Sequence, residues 1–138
     1  MKKIYGFGLL VIYFFICDYA FAVCGTSPDE LQTNLLLAVN NKMIKGSYGS
    51  DSWQEFHCNN GNLWDYKQGP GHAIDHSEVV GKWSIDGQKL VHTYGSTSYN
   101  YELYKKANGY CLKGVGPTTG VDVDISIIDF APPSGSCE

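Results

Sequence analysis

The chain has 138 residues, a formal net charge of −4 and no arginine. Phosphate binding needs a basic stripe, so nucleic acid is excluded as a partner. The length admits one domain with one modest core, and the acidic balance suits a basic protein partner, although net charge speaks first to solubility.

Met1-Lys2-Lys3 makes a basic start, Ile4 to Cys17 is nearly all apolar, and Ala20-Phe21-Ala22 offers the small-x-small pattern of a cleavage site. The apolar run is short for a bilayer span. Phe14-Phe15-Ile16 lacks the small residues a lipoprotein site at Cys17 would want. Residues 1–22 are therefore expected to be a bacterial-type signal peptide. Residues 23–138 would then be a single exported domain, periplasmic or secreted, with no membrane attachment. Without Lys2, Lys3 and Asp18, eight lysines face 13 carboxylates. Cys24, Cys58, Cys111 and Cys137 remain, which implies two disulfides with three possible connectivities. None of them sits at C-x₂₋₄-C spacing, so neither zinc nor any other metal or cofactor is expected.

Ser27-Pro28-Asp29-Glu30 carries a cap, a first-turn proline and a capping-box glutamate, and Leu31, Leu35, Ala38 and Val39 form one apolar stripe. A helix of roughly 14 residues is expected there, ending near Asn40-Asn41, with Gly46 beyond it. Asp51 to Cys58 reads as the first strand, turned by Asn60-Gly61 into a second from Asn62 to Gln68. From Ser77 a hairpin places Val79, Gly81, Trp83 and Ile85 on one parity and turns at Asp86-Gly87 as type I′. Gln88 to Tyr94, Ser98 to Lys105, Tyr110 to Val115 and the alternating Val121, Val123, Ile125, Ile127 complete the set. The fold class is α+β, mainly β: an antiparallel meander of about seven strands, curled or closed into a small barrel, with one N-terminal helix packed on it. Alternating directions bring all four cysteines to one rim. That leaves their pairing open, with Cys58–Cys111 and Cys24–Cys137 preferred.

No G-x-S-x-G elbow, phosphate loop or dinucleotide fingerprint occurs, and an enzyme is not expected. His72-x-x-Asp75-His76 has metal-like spacing, but Gly69-Pro70-Gly71 speaks against a helix there. His57 and His92 fall in strands. The segment from Tyr94 to Tyr104 is rich in Tyr, Ser, Gly and Asn, as binding loops are. Tyr94, Tyr99, Asn100, Glu102 and Tyr104 are the candidate partner-binding residues. The competing reading has Tyr99, Tyr101 and Leu103 facing the core.

Gly81-Lys82-Trp83 resembles the G-x-W motif of lipocalins, which implies a barrel holding a small apolar ligand, although two strands precede the motif here. Trp53-Gln54-Glu55-Phe56, an x-Gly turn and G-x-W together resemble small exported bacterial proteins of unknown function. Gly95-Ser96-Thr97-Ser98-Tyr99 is similar, with its order changed, to the inhibitory loop of periplasmic lysozyme inhibitors. Immunity proteins against exported toxins share the general traits. The expectation is a non-enzymatic exported binding protein that inhibits or neutralises another protein. The alternative is a lipocalin-like carrier using Trp53, Trp83, Tyr101 and Ile125.

Overall fold

Strands with one buried face must hide it against something, and a single curled sheet does so by closing on itself. A computed structural model describes residues 23–48, 51–65, 78–116, 122–129, 131–132 and 134–138. The elements run β1 (Glu30–Leu31), α1 (Leu35–Val39), β2 (Lys42–Tyr48), β3 (Asp51–His57), β4 (Asn62–Asp65), β5 (Glu78–Asp86), β6 (Lys89–Tyr94), β7 (Thr97–Lys106), β8 (Gly109–Val115) and β9 (Val123–Asp129). Each strand from β2 to β9 pairs antiparallel with the next. β9 returns to β2, from Lys42↔Asp129 to Gly46↔Ile125, and closes an eight-stranded meander barrel. The expected signal peptide and the His72–His76 cluster lie outside the described residues. Among those residues, no helix is long and apolar enough to cross a membrane.

Eight strands stand where about seven were expected, and the extra one is β2. Met43 and Ile44 are both fully buried, Met43 in an outer cluster and Ile44 in the barrel core. A strand buried on both faces loses the alternation that marks a strand in sequence.

The helix is shorter than its stripe suggested. Only Leu35–Val39 is helical, capped by Asn34, whose side-chain oxygen accepts from the Leu37 N–H at 3.2 Å. Glu30 and Leu31 instead pair with Lys105 and Tyr104 of β7, and the Gln32 N–H donates to the Leu103 carbonyl at 2.8 Å. Bonds to β7 thus replace the first helical turn. Leu35 and Val39 still point into the barrel core, where α1 plugs one end against Ile44, Leu63, Leu90 and Leu103.

That plugged end is the rim expected to gather the cysteines, but the pairs are Cys24–Cys111 and Cys58–Cys137. This corrects the preferred connectivity, and strand adjacency explains it. β1 lies on β7 opposite Tyr104, whose other neighbour is Cys111, so Cys24 arrives beside Cys111. β9 lies one strand removed from β3, so the tail after it reaches Cys58. Outside the barrel Met43, Phe56 and Trp64 form an outer row, with Ile128 of β9 and Cys137 of the tail packed against it. Two disulfides suit an oxidising compartment.

Two details of the hairpin differ from expectation. A bulge in β5 opposite Leu63/Trp64 turns Val79 outward and Val80 toward the core. The turn itself is Gly87-Gln88, with positive φ only at Gly87 (61°), the II′ pattern rather than I′.

Candidate ligand cavity in the barrel

Inward parity on β3 selects Trp53, Glu55 and His57, and on β6 it selects Leu90, His92 and Tyr94. The barrel interior is consequently apolar toward the plugged rim and polar toward the rim where β6 turns into β7. A cavity of about 190 Å³ lies in the polar half, lined by Trp53 and Glu55 of β3 and by His92 and Tyr94 of β6. Tyr101 of β7, Leu112 of β8 and Val123 of β9 complete its wall.

Two glycines make room for its rings. A Cβ on Gly46 would stand 2.5 Å from the Trp53 ring, and one on Gly81 would stand 2.4 Å from the Thr93 carbonyl oxygen and 2.9 Å from the Tyr94 ring. Because the first obstacle at Gly81 is backbone, Gly81→Ala is expected to cost about 1–3 kcal/mol. It should also displace Tyr94 from Glu55. Urea titration measures the first effect, and ultraviolet difference spectra of tyrosine measure the second.

A buried carboxyl organises the polar groups. Tyr94 donates its hydroxyl proton to Glu55, with the two carboxyl oxygens at 2.7 and 2.8 Å. Burial pushes the Glu55 pKa up to about 7; the Tyr94 bond works against that rise, and neighbouring Asp65 adds to it. Burial and the Glu55 charge together push the Tyr94 hydroxyl far above its usual pKa. Tyr101 is raised for the same two reasons, burial first.

Behind the carboxyl stand two histidines. The Nε2 atoms of His57 and His92 lie 2.9 Å apart, so one ring donates and the other accepts. Burial lowers the His92 pKa to about 4. Burial, then His92, holds His57 well below its usual value, against a weak opposing pull from the Glu55 and Lys42 backbones. Both rings are therefore neutral at pH 7. His92 Nδ1 lies 3.8 Å from Glu55 Oε2, a dipolar contact and not an ion pair. One tautomer set fits an ionised Glu55. His92 turns its Nδ1–H toward the carboxylate and His57 donates Nε2–H to His92. Trp83 packs edge-on to His57 and donates its indole N–H to the Cys58 carbonyl at 2.8 Å.

The barrel wall divides the candidate partner-binding residues. Tyr94 is inside on Glu55, and the Tyr99 ring lies beside it, tilted and 6.1 Å away. Asn100, Glu102 and Tyr104 have the outward parity. On that outer surface Tyr104 donates to Glu102 at 2.9 Å, and the Lys113 ammonium sits 5.9 Å from the Tyr104 ring centre. The five residues do not form one face. Of the residues suggested for a carrier, Trp53 and Tyr101 line the cavity, while Trp83 and Ile125 are core.

Glu55 and His92 are the functional candidates that the sequence pattern hides. Trp53, Glu55 and His57 share a parity, but Phe56 on the other parity is equally buried, in the outer row, so β3 shows no polar side. Among the described residues, no group of three or more His, Cys, Asp or Glu could hold a metal ion. No family model, curated protein or solved structure matches this chain.

Proposed function

We propose that this chain is a non-enzymatic exported binding protein that holds a small molecule inside its barrel. The observation that carries the reading is the cavity itself. Three aromatic rings, two aliphatic side chains and two polar groups converge on about 190 Å³, in a barrel sealed at the other end by α1. A mostly apolar hollow with a few convergent polar groups is the usual build of a small-molecule site. Its size suits a compact ligand, since a cavity of about 150 Å³ already accommodates benzene. Among the described residues, no Ser, Thr or Cys lines the cavity, so none there resembles an activated nucleophile. The carrier expected from the sequence has an apolar interior, whereas this cavity is polar at one side.

Native mass spectrometry of the folded protein, after exposure to a small-molecule extract of its source, tests this directly. A discrete adduct is expected on the wild type and absent from Val123→Trp, which fills the cavity. Wild type without any adduct, or adducts unchanged in the filled variant, would refute interior binding.

A second reading, that the protein neutralises another protein, has one observation of its own. Leu31 sits opposite Tyr104 on the outer wall and is exposed, as are Leu36 and Leu37 of the adjoining helix. Aromatic and aliphatic groups of this kind anchor interfaces. A stoichiometric protein captured by the wild type but not by Tyr104→Ala would favour it.

A further inference from the structure

We propose that the cavity selects a small organic cation: an ammonium group on a compact apolar body. The inference rests on the interior-binding reading above and specifies its ligand chemistry.

The first argument is charge balance. Glu55 faces the cavity with an acid beside it, Asp65 of β4. The other titratable groups around it are His57 of β3, His92 and Tyr94 of β6, and Tyr101 of β7. β2 contributes Ile44, and β8 and β9 contribute Leu112 and Val123, so no charge arrives from those strands. Neither histidine is protonated, and the chain has no arginine. The described lysines are elsewhere. Lys42 pairs with Asp129, Lys106 with Asp124 at 2.8 Å, and Lys113 lies over Tyr104. Lys45, Lys82, Lys89 and Lys105 are exposed. A buried carboxyl thus lacks a compensating cation among the described residues, and a ligand can supply it.

The second argument is the wall. Trp53, Tyr94 and Tyr101 present rings around the same space as Glu55. Ring faces attract ammonium groups, most strongly where water is excluded. Among the described residues, an anionic ligand would meet the Glu55 carboxyl and no donor of positive charge. A purely apolar one would leave Glu55 facing hydrocarbon, which is unfavourable if it is ionised.

Binding a cation must also draw the proton from Glu55. With that group titrating near 7, much of it is protonated at pH 6.5. A bound ammonium should expel that fraction of a proton into the buffer.

The test uses four probes of one size: benzylamine, benzyltrimethylammonium, benzyl alcohol and benzoate. Calorimetry at pH 7.5 is expected to show at least one of the two cations binding about tenfold or more tighter than the alcohol, with benzoate weakest. Glu55→Gln keeps an acceptor for the Tyr94 hydroxyl and should reduce cation affinity to that of the alcohol. At pH 6.5, titration in buffers of different ionisation enthalpy should report net proton release with benzylamine and none with benzyl alcohol. Alcohol binding as tightly as the cations would overturn the cation assignment and leave interior binding standing. Failure of all four at millimolar concentration would overturn the assignment and count against the cavity as a binding site. Cation binding unchanged in Glu55→Gln would likewise remove Glu55 as its basis.

Discussion

Replacing Cys58 and Cys137 together by serine is expected to lower the stability of the oxidised protein by about 4 kcal/mol. The bridge closes a stretch with a sequence separation of 79. Loop-closure entropy for that length amounts to about 4–5 kcal/mol in the unfolded-chain account of disulfides. A domain of this size is stable by only about 5–15 kcal/mol, so the loss is a large share of the total. Local effects act in the same direction. Cys137 packs against the outer row of Met43, Phe56 and Trp64, and Asn60 donates to the Cys137 carbonyl. Urea unfolding followed by tryptophan fluorescence measures the change, and binding of a hydrophobic dye measures exposure of the outer row. A loss under about 1 kcal/mol would show that packing alone holds the tail.

Glu55→Gln is expected to stabilise the protein at pH 8 by about 2–3 kcal/mol and to leave it unchanged near pH 4.5. In the folded chain the carboxyl holds its proton until about pH 7, whereas its ordinary value is 4.5. Between these values the folded state binds more protons than the unfolded state, so stability falls as pH rises. Above pH 7 the full cost, about 3 kcal/mol, is present. The histidines act in the opposite sense. Held neutral in the fold, they lose stability for it as pH falls from 6.5 toward 4, where the unfolded chain protonates. Wild type should therefore be most stable near pH 6.5, and the variant should keep its stability on the alkaline side. Thermal melts from pH 4.5 to 9 check both slopes. A variant weaker than wild type at pH 8 would mean that the Tyr94–Glu55 bond outweighs the burial of the charge. A carboxyl retained at such cost is what a binding group would show, since function and stability often conflict at such sites.

The strand pattern was legible wherever one face of a strand meets water. β9 shows this most plainly: Val123 and Ile125 are buried, and Asp124 and Ser126 are exposed. It failed at β2 and β3, where the outer face is buried as well. Met43 and Phe56 look like core residues, and they are, but of a second core outside the barrel. The same two-sided burial concealed Glu55, because a glutamate between a tryptophan and a phenylalanine gives no sign of which neighbour shares its side. In the tyrosine-rich segment the alternation is plain, with Tyr101 and Leu103 inward and Asn100, Glu102 and Tyr104 outward, as the competing core-facing reading has it. Tyr94 was the exception. Gly81 across the hairpin lets its ring lie flat inside, and a missing side chain on a neighbouring strand is visible only once the register is known.

The seam between β2 and β9 sets a condition on how this protein can be made. Lys42 must wait for Asp129, which enters the chain 87 residues later. Until then every intermediate is an open sheet with two free margins, β2 on one side and the newest strand on the other. Such margins pair readily with other chains, and folds that depend on distant pairings close slowly. A chain ending before Val123 would keep both margins permanently, and its foreseeable fate is aggregation rather than a smaller barrel. Synthesis and oxidation must therefore both deliver the last strand before the molecule has any closed state at all.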